Sequence, residues 1–382
     1  MSDYKYCIGI MSGTSLDGID VVLCKVKGHG LDTDIKLVSF ETYPYSGGVI
    51  NDIKQSLVLP KSNAQLLCSL NFKLGKEYAN AVKKLVRAVG LNLKDIAFIA
   101  NHGQTIYHQA VCEGDFIKSS LQLGDAATIA YECQTTVVSN FRAADIAAGG
   151  DGAPLVPYVD YILYRDKDKS RALHNIGGIA NTTVIPKNAN IEDVYAFDTG
   201  PGNMMINRAV EVLFAKSYDE NGDIAKGGKL ILNMLQELLE NPYLKQEPPK
   251  STGRELFGIE YTDFIINKYK ENASEDIVHT LTLFTAESIA RAYKDFVLSK
   301  HDLDQIIFTG GGAYNKFLIK SIAGLLDVDV LTFEDVGENS DAKEAIAFAV
   351  LGNETLNKNY NNIPAATGAN DKVILGQVNY FN

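Results

Sequence analysis

The chain has 382 residues, 46% of them hydrophobic and 22% charged, with a formal net charge of −11 at pH 7. This is the profile of a globular protein long enough for two domains. No basic stretch offsets the acidic balance, which excludes a nucleic-acid backbone as partner. No apolar run approaches the roughly 20 residues of a membrane span, and the start MSDYKYC has neither the basic patch nor the apolar core of a signal peptide. A cytoplasmic protein with no membrane partner is therefore expected. Five scattered cysteines, Cys7, Cys24, Cys68, Cys112 and Cys133, without a C-x-x-C pair, point to neither a disulfide framework nor a zinc site.

In chain order, residues 5–11, 19–26 and 35–42 read as three strands joined by short connections, an antiparallel meander. Asp17-Gly18 between the first two predicts a tight hairpin turn with positive φ. Asn63 is placed to cap a long helix carrying Leu66, Leu67, Leu70, Phe72, Leu74, Tyr78, Val82 and Leu85. Residues 96–100 read as a short buried strand ending in the polar cluster Asn101–Thr105, and 135–140 as another strand. The pattern then repeats. Strands are expected over 172–176, 181–185 and 194–197, a helix over 276–298 with Ile277, Leu281, Phe284, Ile289, Ala292 and Phe296 on one face, then strands at 306–308 and 328–333 and a last helix over 342–351. A meander followed by helix and strand units thus occurs twice, with domains expected over 1–145 and 146–382 and the C-terminal segment free to pack back on the first. Duplicated mixed α/β halves of this kind bind ligands in the crevice between them.

Four strand ends carry small or glycine-rich loops: 12–18, 175–181, 198–203 and 309–315. One such loop is an ordinary way to close a strand. Four in one chain, each straight after a β-rich run, suit a backbone that approaches phosphates and a purine without Cβ clashes. None is a Walker A loop, because G-x-x-x-x-G-K-[ST] does not occur.

These segments resemble the actin/Hsp70/sugar-kinase superfamily. Within it the chain resembles the anhydro-N-acetylmuramic acid kinase family over nearly its whole length. The strings that carry the likeness are MSGTSLDGID at 11–20, HGQT at 102–105, LQLGD at 121–125, FRAADIAAGGDGAPLVP at 141–157, NIGGIAN at 175–181, FDTGPGN at 197–203, KSTGRE at 250–255 and TGGG at 309–312. Asp151 stands where many relatives are expected to have Gln. The resemblance implies an α/β, two-domain actin-like ATPase (ribonuclease H-like) fold. It also implies a cytoplasmic, homodimeric kinase of cell-wall recycling that uses ATP and Mg²⁺. Water attacks C1 of 1,6-anhydro-N-acetylmuramic acid, the 1,6-bridge opens, and O6 takes the γ-phosphoryl group. A kinase for another amino sugar and an ATP-driven conformational protein like actin or Hsp70 are the competing readings. The latter is disfavoured because no extra domain or long insertion is present.

Roles follow for particular residues. Water attacking C1 must lose a proton, and Asp198, at a strand end before Thr-Gly-Pro-Gly, matches the family's catalytic aspartate. A turn or capping aspartate is the plainer alternative. Gly13, Thr14, Ser15, Leu16, Asp17, Gly18, Ile19 and Asp20, with Asn175, Gly177 and Gly178, are expected to hold the ATP phosphates, and Gly310, Gly311 and Gly312 the adenosine. Asp17 and Asp20 are the Mg²⁺ candidates. Ser12, Thr105, Arg142 and Glu344 are expected at the sugar. A guanidinium at Arg142 suits the lactyl carboxylate, with a structural pair to Asp145 as the alternative. His102 and His108 read as supporting residues, and Lys250 and Arg254 as candidates to line the cleft.

Overall fold

A computed structural model describes residues 4–13 and 16–381. The chain divides into two compact units, 1–163 with 342–382, and 164–341.

The first unit is built on β1 (Lys5–Ser12), β2 (Ile19–Lys27), β3 (Asp34–Tyr43), β4 (Ile96–Gln109), β5 (Ser119–Leu123) and β6 (Val137–Ser139). Its sheet runs β6-β4-β1-β2-β3, with the C-terminal strand Gln377–Asn379 beyond β6 and β5 paired to the far half of β4. β1 is antiparallel to β2 and parallel to β4. The helix Ala64–Ala88 covers this sheet, and the Asn63 side chain accepts from the Leu66 N–H at 3.0 Å, as the capping pattern predicts. Its buried face is Leu70, Leu74, Tyr78, Val82 and Leu85. Phe72, two residues from Leu70 and so on the far side of the helix, is 55% exposed, against the expectation that it joins this face.

The second unit repeats the arrangement with β7 (Arg171–Ile176), β8 (Ile179–Ile185), β9 (Tyr195–Pro201), β10 (Gln305–Thr309) and β11 (Asp329–Thr332), in the order β11-β10-β7-β8-β9. The three meander strands are antiparallel, and β10 is parallel to both β7 and β11. Each unit thus has strand order 3-2-1-4-5, the ribonuclease H-like arrangement, in an α/β fold with two mixed sheets. The helix Ser274–Phe296 buries all six residues expected on its apolar face.

Three local expectations are corrected. The β1–β2 connection runs over residues 13–18, with Met11 opposite Asp20, and among its described residues the left-handed one is Leu16 (φ 60°) rather than Asp17 or Gly18. The cluster Asn101–Thr105 does not follow a strand but lies inside β4. The register steps from Ile10↔Asn101 to Ser12↔Gln104, so β4 carries a bulge there, with Gly103 at φ 82°. The domain boundary is not at 145/146. The segment up to Leu163 stays with the first unit, and from Ala342 the chain returns to it. The return is through the helix Lys343–Leu356, which packs on β1, β2 and β4. Contact is so close at Gly9 that a Cβ there would stand 1.9 Å from the Ala345 carbonyl oxygen. Only glycine at that point of β1 lets the helix start, and with it Glu344, lie against the strand.

Candidate active site

The expected site residues fall into two groups, one in each unit. In the first unit, β1 ends at Ser12, which is fully buried, its Oγ 2.7 Å from the Tyr78 hydroxyl. The following loop is held by Gln104, whose amide donates to the Gly13 carbonyl at 3.1 Å and accepts from Tyr45 Oη at 2.9 Å. Burial pushes the Tyr45 phenol up to about 12, so it stays protonated and a donor. Thr14 and Ser15 lie outside the described residues. Asp17 is exposed, while Gly18 and Ile19 are buried. Asp20, opposite Thr42 in the ladder, accepts from the Thr42 hydroxyl at 2.6 Å. Thr105 accepts from the Gln122 amide at 3.3 Å, a bond between the paired strands β4 and β5.

Arg142, just after β6, is fixed at two of its nitrogens. Nη1 donates to the Gly152 carbonyl at 2.6 Å and Nη2 to His102 Nε2 at 2.8 Å. His102 Nδ1 is 2.7 Å from the Gly103 carbonyl. With Nε2 accepting from a guanidinium, the ring proton must be on Nδ1, and burial followed by the Arg142 charge holds this histidine well below its usual pKa. The β4 bulge therefore orients Arg142 through a neutral imidazole. Burial lowers Arg142 to about 10, still a cation at neutral pH, with Glu344 and Asp145 acting in the opposite direction. Arg142 Nε is buried without a protein partner.

The alternative pairing with Asp145 is not formed. That carboxylate is buried and accepts from Gly152 N (2.9 Å), Asn362 Nδ2 (2.9 Å) and Thr367 Oγ1 (2.7 Å) instead. Glu344 lies in the first turn of its helix, next to Lys343, which is ion-paired with Asp160 at 3.1 Å. Glu344 keeps contact with solvent, but the protein packed around it raises its carboxyl. Lys343 lowers it, Asp20 raises it, Arg142 lowers it and Asp17 raises it. These influences place Asp17, Asp20, Arg142 and Glu344 in one electrostatic neighbourhood. His108 instead faces Ser120, and Asp151, the departure from the expected Gln, is ion-paired with Lys118 at 2.6 Å.

In the second unit three strand ends converge. The turn after β7 and the end of β9 are tied by Gly202 N to Gly178 O (2.9 Å) and Asn203 N to Gly177 O (2.8 Å). Asn203 Nδ2 also donates to Ile176 O at 3.2 Å. The end of β10 closes on the same place. Gly310 has φ 79°, and a Cβ there would lie 2.4 Å from Asn175 Oδ1, so both conformation and contact demand glycine. Asn175, Gly177, Gly178 and Gly310–Gly312 thus come together in one cluster, with Gly178 and Gly311 exposed.

Asp198 is aimed by an irregularity in its strand. Asn181 faces Asp198 but Ala180 faces Gly200, so Thr199 is an extra residue in β9. Such bulges redirect neighbouring side chains. The segment 243–255, of which the sequence reading picked out the string KSTGRE with Lys250 and Arg254, then clamps the aspartate. Asp198 N donates to Lys250 O (3.1 Å), Tyr243 Oη donates to Asp198 O (2.8 Å), and Thr252 N donates to Asp198 Oδ2 (2.9 Å). Burial raises the Asp198 carboxyl to about 6. The Thr252 N–H lowers it, Glu255 raises it and Lys250 lowers it. Lys250, a candidate to line the cleft, is buried beside Asp198. It is 8% exposed, with Nζ 4.7 Å from the ring centroids of both Tyr243 and Phe296 and 3.3 Å from the Tyr243 carbonyl. Burial brings its ammonium down to about 8. Arg254 is exposed. Thr252, Glu255 and Tyr243 were not singled out in the sequence, because only the folded loop brings them to Asp198.

A duplicated ribonuclease H-like fold with small, glycine-rich strand ends in both copies is the arrangement of the actin-like ATPase class, which includes the sugar kinases. The family model described as AnmK, anhydro-N-acetylmuramic acid kinase, matches residues 5–381. The chain is 80% identical over 381 residues to the anhydro-N-acetylmuramic acid kinase of Francisella tularensis subsp. novicida (strain U112), covering 100% of both chains. It is 50% identical over 374 residues to that of Clostridioides difficile (strain 630), covering 98% of each. Among solved structures it is similar to component A of the Acidaminococcus fermentans (R)-2-hydroxyglutaryl-CoA dehydratase. There the TM-score is 0.46 at 11% identity, over 91% of this chain and 96% of that one, a distance at which the likeness carries no functional information. The chain belongs to the anhydro-N-acetylmuramic acid kinase family, and its function is that of such a kinase.

Proposed function

We propose that Asp198 is the general base that couples opening of the 1,6-anhydro bridge to phosphorylation of O6. The observation that carries this reading is the Asp198 carboxyl itself, clamped at Oδ2 by the Thr252 N–H and raised to about 6. A base of that strength is mostly ionised at pH 7, yet basic enough to take a proton from water as the bond to C1 forms. The electron pair of the C1–O6 bond goes to O6, which attacks the γ-phosphorus. ADP leaves, and Asp198 returns its proton to solvent. The product is N-acetylmuramic acid 6-phosphate.

The phosphates are assigned to Gly13–Asp20 and to Asn175, Gly177 and Gly178, and the adenosine to Gly310–Gly312. Arg142, presented by His102 and Gly152, is the partner for the lactyl carboxylate, with Ser12, Thr105 and Glu344 near the sugar. Asp17 and Asp20 are assigned to Mg²⁺. Among the described residues no three acidic, His or Cys side chains form a metal cage. Two carboxylates in one neighbourhood nevertheless fit an ion that prefers one or two carboxylates, waters and substrate phosphates. Bound there, Mg²⁺ neutralises charge on the transferring phosphoryl group. No helix of the described residues is long and apolar enough to cross a membrane. A cytoplasmic homodimer is the assembly proposed from the family resemblance.

The test is mass spectrometry of products formed from ATP and 1,6-anhydro-N-acetylmuramic acid in ¹⁸O-water. Label at the sugar's C1 oxygen and none in phosphate is the expected result. Label in inorganic phosphate, or turnover of N-acetylglucosamine at an equal rate, overturns the coupled reaction.

A further inference from the structure

The clamp on Asp198 contains a group that no hydrogen bond explains. The Thr252 side-chain oxygen Oγ1 is buried and has no protein partner, while the backbone N–H of the same residue donates to Asp198 Oδ2 at 2.9 Å. A buried hydroxyl without a partner costs free energy, and native structures keep few of them outside functional sites. Within one residue Oγ1 and the backbone nitrogen are about 3 Å apart, so the hydroxyl lies within roughly 6 Å of the aspartate oxygen, a span that one water bridges.

We propose that Thr252 is a positioning residue for the attacking water, its hydroxyl oxygen accepting a hydrogen bond from one water proton while Asp198 takes the other. This rests on the assignment of Asp198 as base. A nucleophilic water has two protons. If only the one bound for the base is held, the molecule still rotates about that hydrogen bond, and its lone pair points at C1 only part of the time. A second acceptor fixes both protons and so fixes the lone pair. In the step itself the water oxygen bonds to C1, one proton moves to Asp198, and the C1–O6 pair leaves on O6. The second proton stays on the new C1 hydroxyl, still directed at Thr252.

Placement follows from the local chain. The segment before Thr252 is pinned by Lys250, whose ammonium is seated over Tyr243 and Phe296 and whose carbonyl accepts from Asp198 N. The threonine is therefore held relative to Asp198 from the backbone, independently of its own hydroxyl. Replacing the hydroxyl by a methyl group leaves that hold intact.

The experiment compares Thr252→Val, Thr252→Ser and Asp198→Asn in the full-length enzyme, with kcat and both KM values measured across pH. The expected result is a loss of about 10-fold in kcat for Thr252→Val, the size of one hydrogen bond made at the transition state. The KM for ATP should stay unchanged, the acid limb should stay near that of the parent enzyme, and Thr252→Ser should restore kcat to within about threefold. A loss below about threefold in Thr252→Val, with Asp198→Asn inactive, overturns the role of the hydroxyl and leaves the base in place. A Thr252→Ser variant as impaired as Thr252→Val also overturns it, because the serine hydroxyl would have restored the contact. An active Asp198→Asn enzyme removes the base and this proposal together.

Discussion

Asp198→Asn should destroy activity and at the same time stabilise the fold at neutral pH. The carboxyl is raised from 3.8 to about 6, chiefly by burial, so the folded state favours its neutral form. The stabilising effect of that protonated form is fully present below pH 3.8 and is lost as pH rises through about 6, because the unfolded chain ionises first. At about 1.36 kcal/mol per pH unit, the penalty for keeping Asp198 ionised in the fold reaches about 3 kcal/mol at pH 7 and about 1.6 kcal/mol at pH 5. Asparagine is neutral throughout and still presents a carbonyl oxygen to the Thr252 N–H. Urea titrations of both proteins should show a stability gap in favour of the variant that roughly doubles between pH 5 and pH 7. With Asp198 as the proposed base, the same ionisation governs turnover. From pH 7 to pH 5 the ionised fraction falls from about 0.9 to about 0.1, so kcat/KM should fall about 10-fold. An Asp198 at its ordinary value would lose almost nothing over that range. A pH-independent stability gap together with a flat acid limb would refute the reasoning.

Arg142→Ala should raise KM for the anhydro-muramic substrate by about 10- to 100-fold, the worth of a charge-assisted hydrogen bond. It should do far less to an anhydro-N-acetylglucosamine analogue without the lactyl group, and steady-state kinetics on both sugars measures the contrast. Arg142→Lys should not recover the loss, because one ammonium cannot serve Gly152, His102 and a carboxylate from the same fork. Asp17→Asn should raise the Mg²⁺ concentration needed for half-maximal rate, read from Mg²⁺ titrations at saturating ATP. Asp151→Gln should leave kinetics unchanged and shift stability by less than about 1 kcal/mol in urea melts, because the pair it forms with Lys118 is substantially exposed.

Much of this molecule is local in origin and was legible in the chain. The cap at Asn63 is a short-range hydrogen bond, and the apolar faces of the helices Ala64–Ala88 and Ser274–Phe296 are periodicities that burial follows, Phe72 excepted. The glycine-rich strand ends were visible because a backbone that must come close to another chain or a ligand excludes side chains, as at Gly310. Family strings such as FDTGPGN singled out Asp198, but its surroundings depend on contacts between residues far apart in sequence. The β9 bulge at Thr199 comes from the mismatch of Asn181↔Asp198 with Ala180↔Gly200, a property of strand pairing rather than of either strand. The bulge in β4 that presents His102 to Arg142 is likewise a matter of register against β1. Likewise, only the folded chain shows that Asp145 satisfies itself on Gly152, Asn362 and Thr367, freeing Arg142 from the pairing that sequence proximity suggests. Two of those three partners lie more than 200 residues away. Local sequence sets which residues are available and which backbone conformations are cheap. The partner each polar group finds, and hence the pKa of Asp198 and the orientation of Arg142, is decided by burial and pairing across the whole fold.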